Sequence, residues 1–262
     1  MNKIGVIGLG RMGGTIASSL ILQAKKLKIE LIAYDKAKNI RKKFHSICLD
    51  SLEDLVKNSD WVILAIKPQI AKEVFRKRKE LFKNKKVISV MAGISIKWLK
   101  DNLSPSLVVR TMPNLPALIG EGVTALFFEE NVDKNDREFV EFIFQQLGKS
   151  IIVEEENLMH SVTALSGSGP AFVYQLMEYF INAGLKMDLS GEQAKILTYE
   201  TFKGSIELLF SGEESLEERI KAVKSPGGTT EAGINFMKSN KVQDLIKDVF
   251  VSAKEKSEDL SI

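Results

Sequence analysis

Closely spaced glycines near the start of the chain form the run Gly8-Leu9-Gly10-Arg11-Met12-Gly13, which has the residue types and spacing for binding phosphate groups. In such a run the first glycine permits a tight turn, the second lets the backbone approach a pyrophosphate, and the third lets a helix pack closely on a strand. The run follows a short apolar segment and precedes a helical pattern, so its N–H groups would lie at the positive end of the helix dipole. We therefore expect this segment to bind a dinucleotide cofactor.

A carboxylate at the end of the second predicted strand, Asp35, bears on which dinucleotide is bound. At this distance from the glycine run, a carboxylate can accept hydrogen bonds from the ribose hydroxyls and repel a 2′-phosphate, which favours NAD. The nearby Lys36, Lys38 and Arg41 could instead hold the 2′-phosphate of NADP. A carboxylate that only terminates a strand or turn is also compatible with the position. NADP and NAD both stay open, and Asp35 favours NAD.

A second glycine-rich helix start lies in the other half of the chain and reads Ser225-Pro226-Gly227-Gly228-Thr229-Thr230. Two glycines and two hydroxyl groups ahead of a helical pattern form a cradle whose N–H groups can bind a small carboxylate without an arginine. Simple capping of a helix needs only one Ser or Thr. The full block therefore favours a substrate site over capping.

Three further segments could border a ligand. Ala65-Ile66-Lys67-Pro68 and Met112-Pro113-Asn114 follow predicted strands, at the sheet edge where open α/β sheets bind ligands. Lys67 could be a general acid, a phosphate contact or a surface charge, and the sequence does not separate these roles. Leu165–Ala171 is a small-residue turn that opens a helix, and it is equally compatible with a tight helix crossing and with a second pocket wall.

The elements that must position these segments differ between the two halves of the chain. In the first half, short apolar runs alternate with helical patterns, which predicts βαβ units and a mostly parallel sheet. After about residue 155, long helical patterns replace the β-branched runs. We therefore predict an α/β protein with a dinucleotide-binding domain at 1–155 and a helical domain at 156–262, with the boundary near Val153–Met159.

The predicted elements follow from these patterns. The predicted strands are Ile4–Ile7, Glu30–Tyr34, Trp61–Ile66, Val87–Met91, Leu107–Arg110 and Val123–Phe128. The predicted helices include Met12–Leu27, Leu52–Asn58, Pro170–Ala183, Gln193–Phe210 and Gln243–Leu260.

Composition limits the classes of function that the chain can have. Its 262 residues are 44% hydrophobic and 27% charged, as in globular proteins, and a formal net charge of +3 argues against nucleic-acid binding. A single cysteine, Cys48, and two histidines disfavour disulfides and metal centres. No apolar run approaches the roughly 20 residues that span a membrane, and the N-terminus enters a strand at once. We expect no membrane segment, no signal peptide and a cytoplasmic location.

Taken together, these motifs make the chain resemble the pyrroline-5-carboxylate reductases, which catalyse the last step of proline biosynthesis. The Ser225–Thr230 block is the most specific part of the match. The match runs in order through Gly8–Gly13, Ala65–Pro68, Ala92-Gly93, Arg110–Asn114, Pro116-Ala117, Leu165–Ala171 and Ser225–Thr230. The resemblance implies a Rossmann-type domain and an all-helical dimerisation domain, with the active site near the subunit interface. A homodimer and a larger ring of dimers are both open.

The resemblance also implies an activity and a role for individual residues. The activity is NAD(P)H-dependent hydride transfer to the C=N bond of 1-pyrroline-5-carboxylate, giving L-proline, with no metal. Thr230 would contact the imine nitrogen as the catalytic residue. The substrate carboxylate would lie on the loop residues Ser225, Gly227, Gly228, Thr229 and Thr230. The nicotinamide half of the cofactor would be bordered by Ala65, Lys67, Pro68, Ala92 and Gly93.

Two lysines depart from the family pattern. Lys221 stands where many relatives have Asp, and Lys224 precedes the loop serine, where a small residue is common. Either lysine could change the charge of the substrate pocket. Both leave the hydroxyls and glycines of the loop in place.

Two other functions compete with this interpretation. A β-hydroxyacid dehydrogenase of the same build would use a catalytic lysine in the helical half, where this chain has the small residues of Ser166–Pro170. A non-catalytic paralogue, such as a dinucleotide sensor or a competence-type accessory protein, could keep Gly8–Gly13 without the Ser225–Thr230 block. Turnover separates an enzyme from a sensor, because both bind the cofactor.

Overall fold

The computed structural model describes residues 2–262, apart from the side chain of Leu27. These residues contain one seven-stranded sheet with the strand order β2-β1-β3-β4-β5-β6-β7. Neighbouring strands are parallel except β5 and β6, which are antiparallel. The strands are β1 (Asn2–Ile7), β2 (Ile29–Tyr34), β3 (Trp61–Leu64), β4 (Lys86–Ser89), β5 (Leu107–Met112), β6 (Gly122–Phe128) and β7 (Gly148–Ile152). The predicted α/β class, with a mostly parallel Rossmann-type sheet followed by helices, is confirmed.

The central strand β3 shows why the sheet forms here. Trp61 and Ile63 pack into the apolar layer on one face of the sheet, whereas Val62 and Leu64 pack into the layer on the other face. Side chains alternate between the faces of a strand, so a continuous apolar run is buried on both sides. β1 pairs with both β2 and β3 and therefore lies between them.

Helices cover the two faces of the sheet. They are α1 (Arg11–Leu27), α2 (Lys38–Lys43), α3 (Leu52–Lys57), α4 (Pro68–Phe75), α5 (Ile96–Leu103), α6 (Lys134–Gln145) and α7 (Leu158–Val162). Short 3₁₀ turns cover Lys79–Phe82 and Leu115–Ile119, and a π-helical turn at Thr163–Gly167 follows α7. The sequence did not predict the π turn. It also did not predict β7, because Gly148–Ile152 is a short, mostly exposed edge strand without an alternating pattern.

Five helices make up the last part of the chain. They are α8 (Gly169–Lys186), α9 (Gly191–Phe210), α10 (Leu216–Val223), α11 (Thr229–Ser239) and α12 (Val242–Asp259). Ser190 and Ser215 begin α9 and α10 with capping boxes. The rings of Phe180 and Phe202 meet edge to face at 5.0 Å and join α8 to α9.

The packing of the chain groups its residues into two compact units. One holds the sheet and includes the chain up to Ser168 together with Ala253–Ile262; the other is Gly169–Ser252. This grouping does not coincide with the predicted boundary after residue 155, because α7, the π turn and the end of α12 pack with the sheet. The division into 1–155 and 156–262 stays a prediction of domain organisation. None of the described helices has the length and apolar character required to cross a membrane.

Candidate functional site

The glycine run forms the turn between β1 and α1. Gly8 has φ +92°, and a Cβ there would lie 2.7 Å from the carbonyl oxygen of Ala65. A Cβ on Gly13 would collide with the carbonyl oxygen of Gly8, so only glycine lets α1 pack this closely on the turn. Gly10 faces open space instead, with nothing within 4 Å of an added Cβ. Each glycine thus has a geometry that its predicted role requires.

The start of α1 beside this open space offers hydrogen-bond donors to an anion. Gly10 is the N-cap residue, no side chain caps the helix, and the first turn carries no acidic residue. Arg11, at the first helical position, is exposed, and Met12 is partly buried. An uncapped helix start after a tight glycine turn fits a pyrophosphate group, whose negative charge the helix dipole stabilises. The residues present therefore fit a dinucleotide cofactor.

Asp35 lies beside this turn because β2 is the neighbour of β1. Its Oδ2 accepts the N–H of Leu9 at 2.7 Å, and its Oδ1 accepts the N–H of Ala37 at 2.8 Å. The carboxylate therefore orders the turn, and each oxygen keeps a further lone pair for a ribose hydroxyl. Of the three basic residues nearby, Arg41 is held by Asp50 at 3.3 Å and by the ring of Tyr34.

Ala65 and Lys67 both follow the carboxyl end of β3, but Ala65 packs against the glycine turn and Lys67 is exposed. Ala65 sits under the glycine turn, where its backbone and methyl group contact the space beside Gly8 and Gly13. Lys67 is exposed and is the N-cap residue of α4, which begins with Pro68. An exposed lysine at this edge remains compatible with a phosphate contact or a surface charge.

A cavity of about 570 Å³ opens next to Pro68, Ala92 and Gly93, three of the predicted nicotinamide contacts. Its volume lies within the range of small-molecule sites. Gly93 has φ +71°, and a Cβ there would lie 3.1 Å from the carbonyl oxygen of Leu260. The N–H of Ile262 donates to the carbonyl oxygen of Gly93 at 2.9 Å, which fixes the end of the chain against this loop.

Sequence reasoning missed the part of this cavity that comes from far along the chain. Thr163, Lys256 and Ser257 line it, as do Leu260 and Ile262. No local motif marks these residues. The packing of the π turn with the sheet brings Thr163 to this cavity, and the packing of the end of α12 and the residues after it brings the other four.

Buried polar groups support the cavity wall formed by α12. Nδ1 of His160 lies 3.0 Å from Oγ of Ser257, and His160 is buried, as is expected for a structural histidine. Burial lowers the pKa of His160, and the nearby guanidinium of Arg110 lowers it further. Arg110 is itself buried and pairs with Oε1 of Glu156 at 2.7 Å. Glu156 also accepts the N–H of Ile96 at 2.8 Å.

The small-residue segment Leu165–Ala171 contains the end of the π turn and the start of α8. A Cβ on Gly167 would lie 2.5 Å from the side chain of Met112. Oγ of Ser166 is buried without a hydrogen-bond partner, and Ser168 lines the cavity. Single π turns are common at functional sites. The position of Ser168 on the cavity favours the second-wall interpretation, whereas the overlap at Gly167 shows that the segment is also tightly packed.

The Ser225–Thr230 loop forms the start of α11 within the helical unit. Gly227 has φ +71°, and Gly228 is the N-cap residue, without a side-chain cap. The N–H of Gly228 donates to the carbonyl oxygen of Ser225 at 3.0 Å. Thr229 and Thr230 are the first two helical residues. Their N–H groups are in the first turn, where a helix has no internal acceptors.

Lys221 and Lys224, the two lysines that depart from the family pattern, have different surroundings. Nζ of Lys221 pairs with Oε1 of Glu217 at 2.8 Å on an exposed face of α10. Nζ of Lys224 pairs with Oε1 of Glu231 at 3.0 Å, and Oε2 of the same carboxylate accepts the N–H of Gly227 at 2.8 Å. These two contacts lower the pKa of Glu231, the Gly227 N–H more than Lys224. One of the predicted substrate contacts, the Gly227 N–H, is therefore engaged within the loop.

Comparison with known proteins gives consistent results across the whole chain. Residues 156–260 match the family model described as pyrroline-5-carboxylate reductase dimerisation, and residues 3–93 match the one described as NADP oxidoreductase coenzyme F420-dependent. The chain is 34% identical over 254 residues to pyrroline-5-carboxylate reductase 2 of Bacillus subtilis, covering 94% of this chain and 90% of the relative. It is 32% identical over 262 residues to the pyrroline-5-carboxylate reductase of Aquifex aeolicus, covering 98% and 97%.

Solved structures of similar proteins share the fold over the same length. A crystal structure of Plasmodium falciparum pyrroline carboxylate reductase with NADP bound has 32% identity and a TM-score of 0.86, covering 100% of this chain and 98% of that chain. A pyrroline-5-carboxylate reductase from Coxiella burnetii has 29% identity and a TM-score of 0.89, covering 100% and 99%.

Proposed function

Because this chain belongs to the pyrroline-5-carboxylate reductase family, we propose that it reduces 1-pyrroline-5-carboxylate to L-proline with a nicotinamide dinucleotide. The observation that carries the proposal is the presence of two uncapped, glycine-rich helix starts in one chain, at Gly8–Gly13 and at Ser225–Thr230. The first suits a pyrophosphate and the second suits a small carboxylate. A structural role alone would leave both unexplained.

The sheet unit holds the cofactor, which supplies the hydride when bound. The turn from Gly8 through Gly10, Arg11 and Met12 to Gly13 binds the pyrophosphate, and Asp35 binds the adenosine ribose. Ala65, Lys67, Pro68, Ala92 and Gly93 border the nicotinamide half. The lone pairs that remain on Asp35 favour NADH, since a 2′-phosphate beside this carboxylate would be repelled.

The helical unit holds the substrate. The loop residues Ser225, Gly227, Gly228, Thr229 and Thr230 surround the substrate carboxylate, which the N–H groups of Thr229 and Thr230 bind, and the hydroxyl of Thr230 orients the imine nitrogen. The imine nitrogen first takes a proton from solvent; when the hydride then adds to the C=N carbon, the π electrons of that bond become the lone pair of the amine nitrogen. A protonated cyclic imine accepts hydride readily. The chain therefore mainly has to align the hydride-donating carbon of the nicotinamide with the C=N carbon of the substrate, at about 3–3.5 Å.

We also propose that two copies pair through their helical domains. Large apolar side chains of α8 and α9 are exposed, and three of them, Tyr174, Tyr199 and Ile206, line a groove of about 1000 Å³. An exposed apolar surface of this kind marks an interaction site. The match to the dimerisation model supports a homo-oligomer, and the proposal includes both a homodimer and a larger ring of dimers. A cytoplasmic location fits a chain with one cysteine and a biosynthetic reaction.

The test is absorbance at 340 nm with purified protein, 1-pyrroline-5-carboxylate and either NADH or NADPH. We expect oxidation of the cofactor that depends on the imine, with L-proline as product. Cofactor binding without turnover would contradict the proposal and favour the non-catalytic paralogue.

A further inference from the structure

The loop that is proposed to bind the substrate carboxylate already holds a carboxylate of its own. Glu231, at the third position of α11, reaches back so that Oε2 accepts the Gly227 N–H at 2.8 Å. The contact shows that this N–H is directed where a carboxylate oxygen can bind. It also places a negative charge within one helical turn of Thr229 and Thr230, whose N–H groups remain for the substrate.

A negative charge at this place opposes binding of an anionic substrate. Two like charges a few ångströms apart near a protein surface repel each other enough to weaken binding severalfold. Lys224 offsets the negative charge of Glu231, because its Nζ lies 3.0 Å from Oε1 of that carboxylate. The two side chains are each about one third exposed, at 32% and 31%, so water screens the pair only in part.

We propose that Lys224 is a specificity-determining residue that neutralises Glu231 and so lets the loop accept a substrate carrying a carboxylate. Glu231 holds the loop in shape through Gly227, and Lys224 cancels the charge that this arrangement brings. The inference rests on the proposed function, and it assigns a role to a lysine that departs from the family pattern.

The first test is Lys224→Met, with steady-state kinetics on two substrates. For 1-pyrroline-5-carboxylate we expect KM to rise about three- to tenfold while kcat changes less than about twofold. For 1-pyrroline, which has the same ring without the carboxylate, we expect no change in KM. The increase in KM should shrink in about 0.5 M salt, which screens the uncompensated charge.

Further variants separate charge neutralisation from direct contact and from misfolding. Lys224→Met combined with Glu231→Gln should return KM to near the original value, because the glutamine oxygen still accepts the Gly227 N–H without a charge. Lys224→Arg should keep the original KM. Lys221→Met removes a lysine that pairs with Glu217 on the same helix, and it serves as the matched control with no expected change in KM.

Each outcome has a definite meaning. An unchanged KM in Lys224→Met, equal effects on both substrates, or a double variant as poor as the single one would overturn the inference while the reductase activity stands. The last result would show that Lys224 contacts the substrate itself. A parent protein that does not reduce the imine would overturn the proposed function, and this inference with it.

Discussion

The main-chain N–H of Leu9 donates a hydrogen bond of 2.7 Å to Oδ2 of Asp35, so the carboxylate after β2 is tied directly to the glycine turn after β1. The adjacent parallel strands β1 and β2 make this contact possible, since their carboxyl ends meet at one edge of the sheet. One side chain thus orders the glycine turn, and under the proposed function the same carboxylate also binds the adenosine ribose.

Replacement of Asp35 should change cofactor preference. In Asp35→Ser we expect the ratio of kcat/KM for NADPH to that for NADH to rise about tenfold, because a negative charge near the 2′-phosphate is removed. Initial rates with both cofactors at saturating imine give the ratio. Asp60→Ser is the matched control, since Asp60 also accepts a backbone N–H, from Lys3, but precedes β3. A ratio that stays constant in Asp35→Ser would show that this carboxylate only orders the turn.

A methyl group on Gly13 should disrupt the glycine turn. A Cβ there overlaps the carbonyl oxygen of Gly8, whereas a Cβ on Gly10 meets open space. We expect Gly13→Ala to lower the free energy of unfolding by about 1–3 kcal/mol, and Gly10→Ala to change it by less than about 1 kcal/mol. Urea unfolding measures both. Equal losses in the two variants would contradict the close packing of α1 on the turn.

The hydroxyl of Thr230 should be required for turnover. Thr230→Val keeps the shape of the side chain and removes the hydroxyl, so we expect kcat to fall about 10²-fold through loss of a hydrogen bond to the reacting imine. Thr230→Ser keeps the hydroxyl and should retain most of the activity. If Thr230→Val turns over at the original rate, Thr230 has no part in the reaction.

The buried His160 should make stability depend on pH. Burial lowers its pKa below the ordinary value of 6.5, so the unfolded chain takes up a proton at this site before the folded protein does. The contribution of neutral His160 to the free energy of unfolding is therefore fully present above pH 6.5. It is lost as the pH falls through the lower pKa of His160 in the folded protein. We expect the midpoint of thermal unfolding to decrease between about pH 7.5 and pH 5.5.

His160→Asn tests this assignment, because the side-chain amide can still reach Ser257 without titrating. The variant should show a smaller decrease in the unfolding midpoint over the same pH range. His45→Asn, on the other histidine of the chain, provides the comparison. The same slope in His160→Asn as in the parent protein would assign the pH dependence to other groups.

The sequence by itself determined the parts of this protein that depend on local backbone chemistry. Glycine spacing at Gly8–Gly13, the apolar run of β3 and the Ser225–Thr230 helix start each reflect a need of a short segment, namely a tight turn, burial on two faces or an open helix end. These requirements are met by residues that are adjacent in the sequence, so they can be recognised there. They were sufficient to predict the α/β class and the segments that could bind a dinucleotide and a carboxylate.

The tertiary structure decided which distant residues meet. Ser257 and Ile262 reach the cavity beside Gly93 only because the end of α12 packs with the sheet. β7 forms because β6 offers it a parallel partner, although its own sequence is short and mostly exposed. The pairing of Lys224 with Glu231 likewise depends on the turn that places the start of α11 beside the end of α10. Contacts between residues that are separated along the chain follow from folding, and no local pattern encodes them.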